Sequence, residues 1–212
     1  AGIRMQAQVA LGEAGADARR HALRATLEGC DRAARLVDQL LTLARLEADG
    51  DLARAPLDLS ALARRVVADL APQALARGQQ LELLADAPCP ASGNEALLAV
   101  LLRNLLDNAL RYAPAGSTVR VRVQTSDGRP QLQVDDSGPG MADADLVRLG
   151  ERFFRVPGHE APGSGLGWSI VRCIADAHGL SVQVRRCADL GGLGVTLCWP
   201  SAPASGPAGT AV

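Results

Sequence analysis

Lysine is absent: every basic side chain among the 212 residues is an arginine. That excludes a P-loop, whose lysine reaches the phosphates, and all Schiff-base chemistry. Aromatics make up only 2% of the chain, so a core must be built from Leu, Val and Ala. There are three histidines, and the five cysteines (Cys30, Cys89, Cys173, Cys187, Cys198) are scattered, odd in number and never in a CxxC pair. Zinc or a disulfide framework is therefore not expected, whereas reduced, core-filling thiols are. No signal peptide is recognisable and no apolar run is long enough to span a bilayer, so no membrane contact is expected of these residues. A net charge of -1 gives nucleic acid no electrostatic attraction, and none is expected as a partner.

What the chain does have is 48% hydrophobic residues, enough for a sizeable core. Leu23, Leu27, Cys30, Ala34, Val37, Leu41 and Ala44 alternate at spacings of four and three, a heptad seam. Leu36, Leu40 and Leu43 widen it to the stripe of a four-helix bundle. Residues 1–50 alone supply half of such a bundle, so a homodimer through these helices is expected. Residues 51–57 read as a linker. Residues 58–200 read as a second domain, and the Pro-, Gly- and Ala-rich residues 201–212 as a disordered tail. In the second domain Ser60 is the expected cap of a helix to about Ala76, and residues 94–112 are strongly helical. Strands are expected at 80–83, 119–124, 132–135, 181–186 and 194–199, with a hairpin turn at Ser126-Asp127-Gly128. The fold class is α+β: a helical arm, then a two-layer α/β sandwich with a mostly antiparallel sheet.

The strand Pro130–Val134 runs into Asp135-Asp136-Ser137-Gly138-Pro139-Gly140-Met141, carboxylates followed by a turn that lets backbone approach a ligand. A plain surface turn gives the same pattern, but three other segments point to the same kind of site. Asn104 and Asn108 share one face of an otherwise apolar helix, with Arg111 and Tyr112 a turn later; neutral amide oxygens suit a Mg²⁺ already carried by phosphates. Gly163-Ser164-Gly165-Leu166-Gly167 opens directly into a helix, whose free N–H groups and positive dipole end suit phosphate. Between them lies Glu151-Arg152-Phe153-Phe154-Arg155. Four of the chain's five aromatics fall in these segments.

The segments NLLDNALRYAP at 104–114, DDSGPGM at 135–141, ERFFR at 151–155 and GSGLGWSIV at 163–171 resemble, in order and spacing, the nucleotide-binding boxes of bacterial sensor histidine kinases. LLTLARLEA at 40–48 resembles the end of their dimerisation and phosphotransfer domain. The resemblance implies a Bergerat-type sandwich that binds ATP and Mg²⁺, a response regulator as partner, and the cytoplasmic part of a protein anchored in the inner membrane. It implies that Asp136 takes the adenine amine, with Gly138 and Gly140 shaping the turn. Asn108, with Asn104 beside it, holds Mg²⁺, and Arg111 and Tyr112 flank the nucleotide. Arg155 reaches the γ-phosphate, and Gly163, Ser164, Gly165, Leu166 and Gly167 wrap the phosphates under a lid at 156–164. Gly191-Gly192-Leu193-Gly194 resembles the last glycine box, with Leu193 where Thr is common. The family's phosphoacceptor box does not occur, and His21, His159 and His178 lack its neighbours. The chain is therefore expected to be a fragment that binds ATP without phosphorylating itself. Two other classes share parts of the pattern: a hydrolytic Bergerat-fold ATPase, which needs a Glu at the place of Asn104, and a non-catalytic docking module.

Overall fold

The computed structural model describes residues 53–142 and 166–200 and, before them, Met5, Ala7, Gln8, residues 15–27, Gly29 and Cys30. The chain divides into two compact units, Ala1–Glu47 and Ala48–Val212. In the first, residues 16–27 are helical. The first two residues of the heptad seam, Leu23 and Leu27, stand exposed on that helix. The rest of the seam beyond Cys30, the lid at 156–164 and the tail at 201–212 lie outside the described residues. All five thiols are free, but Cys30 is exposed rather than core-filling. Among the described residues no helix is long and apolar enough to cross a membrane.

Among its described residues the second unit has seven strands and three helices: β1 (Ala55–Asp58), α1 (Leu59–Ala76), β2 (Gln80–Leu84), β3 (Pro90–Gly93), α2 (Glu95–Tyr112), β4 (Thr118–Ser126), β5 (Arg129–Asp136), α3 (Gly167–His178), β6 (Ser181–Arg186) and β7 (Leu193–Cys198). The main sheet has the order β2-β4-β5-β7-β6. Its β2–β4 pair is parallel and the other three pairs are antiparallel, as the expected sandwich requires. Alternation sets its two faces. Val119, Val121, Val123, Leu132, Val134, Val195 and Leu197 are buried. The leucines of α2 (Leu98, Leu101, Leu102, Leu105, Leu106, Leu110) and Ile170, Val171 and Ile174 of α3 complete an aliphatic core. The β4–β5 hairpin closes through Asp127 and Gly128, both at positive φ (51° and 72°), the two-residue geometry that matches strand twist.

Two features depart from the sequence reading. Asp58, not Ser60, caps α1: its Oδ1 accepts from the N–H groups of Ser60 at 2.9 Å and Cys89 at 2.8 Å. Those bonds, the one from Cys89 foremost, hold its carboxyl below the usual range. Ser60, the second residue of the helix, is buried and donates its hydroxyl to Ala87 O. The second departure is the small antiparallel pair β1–β3, which takes in residues 55–57 of the supposed linker. These strands are four residues long and lack alternation, so their pairing is visible only in three dimensions.

His178, the last residue of α3, ties β3 to this frame. It is 2% exposed. Its Nε2 accepts from the Asn94 N–H at 2.9 Å, so Nδ1 carries the proton and donates to Ile174 O at 2.7 Å. Burial holds its pKa below 6.5, and the Arg54 charge adds to that. With the folded-state pKa depressed, the unfolded chain takes up the proton first as pH falls below 6.5. Stability is therefore expected to drop between about pH 7.5 and 5.5, by up to about 1.4 kcal/mol from this group. Urea denaturation at the two pH values measures it, and the drop should be absent in His178→Gln.

Candidate functional site

The carboxylate of Asp136 stands at the end of β5, opposite Val119 of β4. It is 9% exposed. Its Oδ1 accepts from the backbone N–H of Gly138 at 2.8 Å and of Leu193 at 3.2 Å. Burial pushes its pKa up, the two N–H groups oppose that, and the neighbouring Asp135 adds to the rise. Oδ2 is left without a hydrogen-bond donor among the described residues, so one oxygen is anchored and the other is free to accept. Asp135 points to the other face of the sheet, where its Oδ2 accepts from Gln133.

Three glycines fit the site closely. A Cβ on Gly192 would run into Asp136 Oδ1, the Asp136 carbonyl and the Gly138 nitrogen. On Gly138 it would meet Asp136 Oδ1 at 2.9 Å and lie 3.4 Å from Ala113 Cα. Gly140 has φ 72°, and its position adjoins Gly191 and Gly192. The turn after β5, the β6–β7 turn and the end of α2 therefore converge on one carboxylate. Sequence reasoning placed Gly192 and Leu193 in a glycine box, but not the Leu193 N–H as the second anchor of Asp136. Backbone donors leave no mark in a sequence.

The other half of the site lies where α2 packs on α3. Asn104 is 8% exposed, and its Nδ2 donates to Val100 O at 2.8 Å. A Cβ on Gly167 would sit 3.3 Å from Asn104 Oδ1 and 3.4 Å from Asn108 Oδ1, so both amides border the first turn of α3. Helices α1 and α2 are capped by the side chains of Asp58 and Asn94, whereas among the described residues no side chain caps α3. Its N-terminal end is thus available to an anion beside two neutral amide oxygens. Leu166 is buried, and its carbonyl accepts from the Ser169 hydroxyl at 2.8 Å. Arg111 and the half-exposed Tyr112 follow at the end of α2. Arg155, Gly163, Ser164 and Gly165 lie outside the described residues. Carboxylate, amide pair and uncapped helix fit an adenine nucleotide whose phosphates carry Mg²⁺.

Residues 93–203 match the model of the histidine kinase-, DNA gyrase B-, and HSP90-like ATPase family. The chain is 41% identical over 200 residues to the sensor protein QseC of Escherichia coli K12, covering 93% of this chain and 43% of that protein. It is 34% identical over 216 residues to the sensor protein kinase PmrB of Pseudomonas aeruginosa, covering 98% of this chain and 45% of PmrB. It thus spans less than half the length of these relatives. Among solved structures, the cytoplasmic segment of histidine kinase QseC is 34% identical with a TM-score of 0.55, covering 81% of this chain and 95% of that one. The mycobacterial sensor histidine kinase MprB is 27% identical with a TM-score of 0.61, covering 70% and 99%.

Proposed function

The chain belongs to the family of histidine kinase-, DNA gyrase B-, and HSP90-like ATPases, and within it to the sensor histidine kinases; from that membership we propose that residues 58–200 are the Mg²⁺–ATP-binding catalytic domain of a two-component sensor. The observation that carries the reading is Asp136, with one oxygen fixed by two backbone N–H groups and the other free to accept. Adenine offers an amine there. Guanine offers a carbonyl oxygen, which would leave a buried carboxylate unpaired at a cost of about 1–3 kcal/mol. Asn108, with Asn104 beside it, holds Mg²⁺, and the start of α3 with the turn 163–167 takes the phosphates. Arg155 serves the γ-phosphate, and Arg111 and Tyr112 border the nucleotide. When bound, ATP supplies the phosphoryl group, and the residues of this chain position it and stabilise its charge. Asn104 bears a carboxamide, which cannot act as the general base of a hydrolytic ATPase.

The partner is a response regulator, the setting is the cytoplasmic side of a membrane-anchored sensor, and the exposed Leu23 and Leu27 begin the seam that a second copy covers. None of the three histidines is the phosphoacceptor. Both ring nitrogens of the buried His178 are engaged, and neither His21 nor His159 has the neighbours of an acceptor box.

Calorimetry with Mg²⁺ is expected to give tight ATP and ADP binding, with GTP at least about tenfold weaker, the 1.4 kcal/mol scale of one unpaired polar group. Equal ATP and GTP affinities would overturn the adenine assignment. Incubation with γ-labelled ATP should leave the chain unlabelled, and an acid-labile, base-stable label on any of the three histidines would show the acceptor to be present.

A further inference from the structure

Three main-chain carbonyls near the C-terminal end of α2 turn onto one side chain. Gln79, in the turn between α1 and β2, is buried. Its Nε2 lies 2.9 Å from Leu110 O, 2.5 Å from Ala113 O and 3.5 Å from Pro114 O. The last carbonyls of a helix have no intrahelical partner, so they need a donor from elsewhere. Arg77 of the same turn gives Leu110 O a second donor at 2.9 Å. Main-chain bonds from Gly116 N to Gly78 O at 2.8 Å and from Gln80 N to Ser117 O at 2.8 Å fasten the two segments alongside.

The chemistry fixes which atom of Gln79 faces the carbonyls. Three acceptors demand the NH₂ group, and an oxygen there would be repelled by all of them. Oε1 therefore points away, and it has no hydrogen-bond partner among the described residues. Keeping a buried acceptor unpaired is costly, so the bonds to the end of α2 outweigh that cost. The residues so held lead straight to the site. Ala113 Cα and Tyr112 O lie 3.4 Å and 3.5 Å from where a Cβ on Gly138 would be, and the Gly138 N–H anchors Asp136 Oδ1.

We propose that Gln79 is a positioning residue for nucleotide binding: through Ala113 it sets how closely the end of α2 approaches the Gly138 turn, and hence the slot in which Asp136 meets the base. The proposal rests on the nucleotide-binding reading of the site. Gln79 touches no ligand; it acts through the α2 terminus.

The test titrates ADP into the wild-type protein, Gln79→Glu and Gln79→Met by calorimetry from about pH 5.5 to 8, with a melting temperature at each pH. A buried carboxyl facing carbonyls stays protonated at low pH, donates as the amide did, and loses its proton as pH rises. Relative to wild type at the same pH, Gln79→Glu should bind within roughly threefold at the low end and at least about tenfold more weakly at the high end. Gln79→Met should be about tenfold weaker throughout, with no trend, because it has no proton to lose. Wild-type protein that binds no ADP would overturn the nucleotide-binding reading, and this proposal with it. Wild-type binding with both variants within about twofold would overturn the role of Gln79 alone. So would a Gln79→Glu defect that is the same at every pH. A variant already unfolded at the assay temperature at every pH would also count against the proposal, since Gln79 would then hold up the fold rather than the slot.

Discussion

Asp136→Asn should raise the Kd for ATP and ADP roughly a hundredfold or more, about 2.7 kcal/mol, while leaving the melting temperature unchanged or higher. The two effects have one cause. The amide oxygen of Asn can still accept from Gly138 and Leu193, so the turn around it keeps its shape. The other position becomes an NH₂ donor facing adenine's own amine, and a charge-assisted bond becomes a donor–donor clash. Stability moves the other way because burial raises the pKa of Asp136 in the folded chain. A group whose folded-state pKa is raised favours the fold below its unfolded pKa of 3.8, and that support is lost as pH rises through the folded value. At neutral pH the ionised carboxylate is thus a burden on the fold that Asn does not carry. Calorimetry and thermal melts on one preparation measure both. Loss of binding together with a lower melting temperature would mean that the substitution had broken the turn instead.

Gly192→Ala is expected to damage fold and site together. Its Cβ would meet two backbone atoms and the short Asp136 side chain, none of which is the far end of a flexible group. The β6–β7 turn must move away from the end of β5. That move breaks the Gly192 N–H bond to Asp136 O at 3.1 Å and the Leu193 N–H bond to Asp136 Oδ1. Overpacking with the loss of two bonds should cost about 2–4 kcal/mol, and nucleotide binding should fall below detection. Gly128→Ala is the control. It has open space around it but a φ of 72°, so it should cost about 1–2 kcal/mol and leave nucleotide affinity unchanged. Urea denaturation and ADP titration separate the two variants. Equal behaviour would refute the crowding described at Gly192.

The parts of the fold that could be read from the sequence are those with local causes. The Asp127-Gly128 turn and the Asn104–Asn108 face each follow from a few neighbouring residues. The β1–β3 pair leaves no such local sign, because Ala-Pro-Leu-Asp and Pro-Ala-Ser-Gly carry neither alternation nor β-branched residues. Asp58 and Ser60, two residues apart, satisfy the same capping rule in sequence; what decides for Asp58 is the second donor, Cys89 N–H, 31 positions away. The turn after Asp136 marks it in the sequence, but its second anchor is 57 positions distant, and Gln79 reaches carbonyls 31 to 35 positions away. Contacts at such separations have no sequence period to reveal them.

The β4–β5 hairpin also separates two jobs along one ladder. Asp136 stands at one end, paired with Val119, and Ser126 and Arg129 pair at the other. Seven residue steps at about 3.4 Å put the tip roughly 24 Å from the carboxylate. The tip is a tight turn, and Gly128 has open space around it. A fluorophore, an affinity tag or a whole reporter domain spliced between Asp127 and Gly128 would sit at the far edge of the sheet, clear of the nucleotide end. Loop tips of this kind accept insertions best. The molecule thus provides a handle by which occupancy of the site can be followed without touching it.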